Sequence, residues 1–345
     1  MGVEEHFPDA FAAREDGNVG IPAKVYQFNN EHHRLERRNK AATNLFLDKN
    51  RRAGAAAMLP GYYGELLSWA LQRHMEREHW KIIKTLGYHG SEPVYTNVST
   101  DYGKCENLLV DGQLLIQKGG CPLIVTVDIK MRCGNSVRVE GSANEKQEIG
   151  KFIDGVKTIA KKENFYRNKK IEFSGRLRFL DVHTGLWDSI ALEPEIKAEI
   201  KANTIGLLNK RKTWNRCGIP LKRCVLLVGE PGIGKTTIWK ALMAEAVGIT
   251  CIITSAYNLD HNGCITELYQ LAQDLSPCIV FIEDIDLIGQ SQIESGSHRV
   301  SALLSLVAML SSIEEHEEIV TVATASCLDT PGAVMSEHFP HLTVW

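Results

Sequence analysis

Cys224-Val-Leu-Leu-Val-Gly-Glu-Pro-Gly-Ile-Gly-Lys-Thr-Thr237 is the stretch on which the fold turns. Its first five residues are an apolar run of strand length, and 238–247 continue with helical spacing. Between them, Gly229, Glu230, Pro231, Gly232, Ile233, Gly234, Lys235, Thr236 and Thr237 satisfy the pattern G-x-x-x-x-G-K-[ST] in the strand, loop and helix setting that gives it meaning. Glycines let backbone N–H groups turn inward around phosphate oxygens at a helix start, where the helix dipole favours negative charge. In that setting Lys235 reaches the β- and γ-phosphates and Thr236 offers its hydroxyl to Mg2+. A glycine-rich turn with an incidental lysine is the plainer alternative, and the complete pattern in its setting weighs against it.

Further along, Pro277-Cys278-Ile-Val-Phe-Ile282-Glu283-Asp284-Ile-Asp286 has the form of a second buried strand ending in acids. A carboxylate at the C-terminal end of a parallel strand stands beside the phosphate loop, where it holds Mg2+ directly or through water. A second acid there polarises the attacking water. We assign the metal role to Glu283 and the base role to Asp284, with Asp286 supporting the site or a subunit contact. The bland alternative is a strand followed by a solvated acidic turn.

Together these segments resemble an AAA+ ATPase domain, a P-loop NTPase core, and the likeness runs from about residue 187 to the end of the sequence. Trp187-Asp188-Ser-Ile190 is similar to the motif that opens the family's domain, which implies that Asp188 and Ile190 lie beside the adenine base. The stretch 319–326 resembles the sensor 1 strand, which gives Ser326 a catalytic sensor role, and Asp329 follows where the family often has an aspartate. Apolar runs beginning at Cys224, Thr250, Cys278, Ile319 and His341 match the five parallel strands of the family core. Within the family, the Glu-Asp order and the stretch 214–223 look most like the branch that includes the mitochondrial chaperone translocating the Rieske iron–sulphur protein. The resemblance implies ATP and Mg2+ as ligands, ATP hydrolysis, a protein client and assembly into a homo-oligomeric ring.

The departures from the family pattern bear on turnover. The commoner Asp-Glu order is reversed, which makes the base Asp284 one methylene shorter. Ser326 stands where the family has asparagine and has a shorter reach. No arginine follows Arg299, whereas the family places its trans-acting fingers after sensor 1, and such a finger is worth about 10³–10⁵ in rate. Arg299 is either an interface residue or an exposed helix arginine. The sequence stops at Trp345, on or just after the fifth strand, so the expectation is a truncated gene product whose helical lid must be supplied for a ring to form. His261-Asn262-Gly263 is polar where the family has an aromatic pore loop, which argues against threading of an unfolded chain. These departures keep a different class open: a nucleotide-gated binding or scaffold protein with little or no hydrolysis.

The remainder of the chain supports an α/β core preceded by an α+β region. At 345 residues the chain exceeds what one hydrophobic core ordinarily serves, so more than one domain is expected. Residues 1–86 have a helical texture, with a helix expected over 62–86 after the Pro60-Gly61 turn. Residues 87–184 form the α+β substrate or adaptor domain, with strands either side of Gly119-Gly120, a helix over 142–164 and a hairpin around Ser174-Gly175. The core occupies 185–345.

Composition excludes several classes. Apolar residues at 44% and charged residues at 23% belong to a folded globular chain rather than a disordered one. A net charge of −3 supplies no field for gripping nucleic acid or anionic lipid. Nine cysteines without a C-x-x-C pair fit reduced thiols and a cytoplasmic location. The acidic N-terminus lacks the features of a signal peptide, and the longest uncharged run, 300–313, is short of the ~20 residues of a membrane span. The basic run from His32 to Arg38 with Lys49, Arg51 and Arg52 is interrupted by acids and suits a solvated helix better than a nucleic-acid face. His32-His33 is a weak metal pair, and Tyr62, Tyr63, Trp69 and Trp80 suit core packing better than a ligand site.

Overall fold

The computed structural model describes residues 23–88, 90–130, 134–183, 186–259, 264–287, 306–326 and 342–344. Two sheets organise them.

Helix α1 (Ala23–Phe46) and strand β1 (Arg52–Leu59) come first. They are followed by α2 (Gly64–Arg77), β2 (Lys81–Leu86), β3 (Val94–Asp101) and β4 (Lys104–Lys118). Strands β5 (Cys121–Lys130) and β6 (Gly134–Ser142) and helix α3 (Lys146–Lys162) complete this part. The strands form an antiparallel sheet in the order β1-β6-β5-β4-β2, and β3 also pairs with the long β4. The hairpin expected at Gly119-Gly120 joins β4 to β5. Leu67 and Leu71 of α2 and Phe152 and Val156 of α3 recur at four-residue spacing, so each helix buries one stripe against Val125, Val137 and Val139. On the other face, Leu47 beyond the end of α1 covers Leu86, Leu115 and Ile124.

The helical texture expected over 1–86 needs correction. Residues 52–59 and 81–86 are strands, and the helix expected over 62–86 ends at Arg77. Arg-Ala-Gly-Ala-Ala-Ala carries no β-branched residue to announce a strand; pairing along the whole of β6 makes it one. Tyr62, Tyr63 and Trp69 are core residues, as their spacing suggested. Arg52 of the basic run turns inward and donates to the carbonyls of Thr43 (3.0 Å) and Leu47 (2.9 Å), closing the end of α1.

The second sheet holds β7 (Lys170–Phe173), β8 (Leu177–Phe179), β9 (Arg223–Val228), β10 (Thr250–Ser255), β11 (Cys278–Glu283), β12 (Ile319–Ala325) and β13 (Leu342–Val344). Its order is β13-β9-β12-β11-β10-β7-β8, parallel from β13 to β7 and closed by antiparallel β8. The five strands from β13 to β10 are those the sequence announces. The hairpin β7–β8 was expected in the region before 184, yet it extends this sheet, so a boundary at 184 cuts across one hydrogen-bonded unit. The reason is local: Ile171 and Phe173 are fully buried, and the Lys170 ammonium donates to the carbonyl of Ile249 at 2.9 Å.

Helices α4 (Pro194–Asn203), α5 (Ile205–Asn209), α6 (Arg211–Arg216) and α7 (Lys235–Glu245) precede β10, and α8 (Ala256–Leu259) and α9 (Cys264–Asp274) follow it. Ile200, Leu208 and Leu242 of α4, α5 and α7 pack on Val225, Phe281 and Val322 on one face of the sheet. Leu268 of α9 and Leu310, in a helix over 306–312, pack on Val280 and Ile282 on the other. Both faces being covered, β11 and β12 are apolar almost throughout, as buried parallel strands are.

One apolar cluster runs unbroken from the first sheet through Tyr63, Tyr166 and Phe173 to α9. Beside it Arg167 donates to the carbonyls of Asp274 (2.5 Å) and Ser276 (2.8 Å), joining the segment after α3 to the end of α9. Among the described residues no helix is long and apolar enough to cross a membrane.

Candidate nucleotide-binding site

Strand β9 delivers the chain to Gly229, whose N–H donates to the carbonyl of Ala325 on β12 at 3.1 Å. A Cβ at position 229 would lie 2.1 Å from Cδ1 of Ile233, so a larger residue there would have to displace that exposed side chain. Gly234, with φ of 104°, turns the loop into α7 in the left-handed region that glycine alone enters freely. Glu230, Pro231, Gly232 and Ile233 are exposed, which leaves the outer side of the loop open to a ligand.

Lys235, half-buried at the start of α7, donates to the carbonyl of Gly229 and to that of Glu230 at 3.0 Å. Its ammonium therefore lies across the loop at the positive end of the helix. Thr236 is exposed, and its hydroxyl lies 3.4 Å from Oε1 of Glu283, the last residue of β11. Trp239, three residues on and so on the same side of α7, donates its indole N–H to that same oxygen at 3.0 Å.

Asp284 leaves β11 with φ of 53°, and its N–H donates to the hydroxyl of Thr324 near the end of β12 at 2.9 Å. Asp284 is exposed. Asp286 accepts the N–H of Ser326 through Oδ2 at 3.2 Å, which ties the ends of β11 and β12 together. Ser326 directly follows β12, and its backbone N–H is the donor in that bond.

Asp188 lies in a short 3-10 turn, Leu186–Ser189, that packs on α7. Trp187 and Ile190 are buried in the α7 cluster and Asp188 is exposed. The Lys201 ammonium stands 4.6 Å from the centre of the Trp187 ring, a cation–π contact that fixes the turn from outside.

The structure thus brings Lys235, Thr236, Glu283 and Asp284 together at the C-terminal edge of the sheet. Hydroxyl and carboxylate oxygens are hard donors of the kind Mg2+ selects, so the residues present fit that ion. Trp239 and Thr324 were not singled out from the sequence. The signal for Trp239 was its i, i+3 spacing from Thr236, and that for Thr324 its place near the end of β12. His261, Asn262, Gly263, Arg299, Asp329 and His341 lie outside the described residues. On α1, His32, His33 and Glu36 bring three donor atoms within 4.8 Å of one another, far from this edge in sequence and largely exposed.

Residues 225–340 match the family model of the ATPase family associated with various cellular activities (AAA). The segment that holds the site is thus similar to an AAA-family domain. Over 150 residues it is 29% identical to the ATP-dependent zinc metalloprotease FtsH 2 of Sphaerobacter thermophilus, covering 41% of this chain and 23% of the relative. Over 166 residues it is 30% identical to the ATPase family protein 2 homolog of Caenorhabditis elegans, covering 46% of this chain and 23% of the relative. The ATPase family gene 2 protein of Saccharomyces cerevisiae is 28% identical over 162 residues, 45% of this chain and 20% of the relative. The chain thus spans about a fifth to a quarter of the length of these relatives. The phosphate loop, the β11 acids and the end of β12 all fall inside the matched segment.

Proposed function

We propose that the AAA domain binds ATP with Mg2+ at the loop over 229–237, hydrolyses it, and couples both events to remodelling of a protein client. The observation that carries this reading is the meeting of the Thr236 hydroxyl and the Glu283 carboxylate at 3.4 Å beside the loop, with Asp284 next in the chain. In the proposed roles, N–H groups of Glu230, Gly232, Ile233 and Gly234 and the Lys235 ammonium hold the phosphates, and Thr236 and Glu283 hold the metal. Asp284 accepts the proton of the attacking water, Ser326 contacts the transferred group, and Asp188 and Ile190 border the base. Bound there, Mg2+ neutralises charge on the phosphoryl oxygens.

The region before β7 is the proposed client or adaptor module, and its continuous apolar contact with α9 supports transmission between the two. A homo-oligomeric ring and a cytoplasmic location belong to the same proposal; free thiols at Cys224, Cys251 and Cys278 support a reducing compartment. The relatives' names join ATP dependence to proteolysis in one group and not in the other, so ATP use is the property we carry over.

A second reading, nucleotide-gated binding without meaningful turnover, is favoured by the short, exposed Asp284 in the base position. Steady-state phosphate release separates the two. Turnover in the parent that is abolished by Lys235→Ala and by Asp284→Asn supports hydrolysis. Bound nucleotide with no turnover in the parent supports the second reading.

A further inference from the structure

The bond between Trp239 and Glu283 goes beyond what the phosphate-loop motif requires. Oε1 of Glu283 faces two donors of α7 at once, the Thr236 hydroxyl at 3.4 Å and the Trp239 indole N–H at 3.0 Å. The indole is buried at 7% exposure and its ring centre lies 6.1 Å from that of Phe281, which shares a face of β11 with Glu283. The Lys240 ammonium caps the ring at 5.4 Å. The donor is therefore fixed, whereas a carboxylate at a strand end has free torsions of its own. An indole N–H donates only, so it can neither compete as a metal ligand nor be replaced by one.

We propose that Trp239 is a positioning residue for the metal: its N–H locks the Glu283 carboxylate in the orientation that aims it at Thr236, and thereby sets how strongly Mg2+ tightens nucleotide binding. The proposal rests on the nucleotide reading above. The ordinary alternative is that a buried indole simply needs an acceptor and Glu283 provides one, with no bearing on the metal. Partners that orient metal-binding side chains typically change metal affinity by about 10–100-fold when removed, whereas a merely satisfied indole affects folding alone.

The test is the anisotropy of a fluorescent non-hydrolysable ATP analogue bound to the full chain, in EDTA and in Mg2+. The parent binds in both, more tightly with Mg2+. Trp239→Phe keeps the ring against Phe281 and should bind as the parent does in EDTA while losing about 10-fold of the tightening by Mg2+. In a Glu283→Gln background the same change should have no further effect. An undiminished Mg2+ response in Trp239→Phe, or an equal loss with and without Glu283→Gln, overturns the proposal. Should Trp239→Phe fold poorly, the indole N–H spectrum of the parent decides: one of six tryptophan cross-peaks should move when Mg2+ joins the bound nucleotide, and Glu283→Gln should move the same one. No such movement overturns it. A parent that binds no analogue under either condition instead overturns the nucleotide reading on which the proposal stands.

Discussion

Thr324 near the end of β12 accepts the backbone N–H of Asp284 at 2.9 Å, at the residue where β11 breaks into the left-handed region with φ of 53°. A non-glycine residue held there costs roughly 1–2 kcal/mol, and the threonine hydroxyl offsets part of that by satisfying the amide. The bond fixes the backbone from which the Asp284 carboxylate departs. Thr324→Val keeps the volume and removes the acceptor. It should leave the nucleotide Kd within about 3-fold while slowing phosphate release by about 10- to 100-fold, because misplacement of a reacting group weakens catalysis more than binding. Thr324→Ser should restore most of the rate. Equal losses in Kd and rate, measured by titration and steady-state phosphate release, would contradict the assignment.

Arg167 joins the segment after α3 to the end of α9 in the same manner. Its guanidinium closes the carbonyls of Asp274 and Ser276 at the end of α9, which are left without partners when it is cut back. Arg167→Ala should cost about 1–3 kcal/mol in urea unfolding. It should also separate the transitions followed by probes in the first sheet and in the second. A single unshifted transition would show that the cluster of Tyr63, Tyr166 and Phe173 is sufficient without it.

His74 gives a pH dependence of known sign. Burial against Phe152, at 4.7 Å between ring centres, and against Gly155 lowers its pKa, with Glu78 pulling the value up and Lys118 pushing it down. Arg77, Glu148 and Lys151 border the same cleft. The unfolded imidazole takes up a proton near pH 6.5. Stability contributed by neutral His74 is therefore present above that pH and is lost as pH falls through it towards the lower folded value. The thermal midpoint should drop between pH 7.5 and 5.5 by more in the parent than in His74→Gln. Identical drops would remove His74 from the account.

The sequence disclosed the parallel sheet well and the region before it less well, for a physical reason. Buried parallel strands such as β11 must be apolar on both faces, and the phosphate loop must carry glycine where the backbone turns, so both are written in residue type. In contrast, β1 is a run of alanines whose strand character comes only from pairing with β6. The hairpin β7–β8 was visible as a hairpin, but its attachment to β10 depends on a partner about eighty residues away in sequence. At the site the first contacts were legible from the motifs. Trp239 and Thr324 were not, because their roles arise from the closeness of α7 to β11 and of β12 to Asp284.

Calorimetric titration of ATP with Mg2+ into the full chain, in parent and in Lys235→Ala, tests the central claim most directly. The account predicts one site per chain in the parent and a loss of about 10- to 100-fold in affinity in the variant, the effect of removing a cation that bonds phosphate oxygens. A parent chain that takes up no nucleotide at millimolar concentration, or a variant that binds as tightly as the parent, would contradict it.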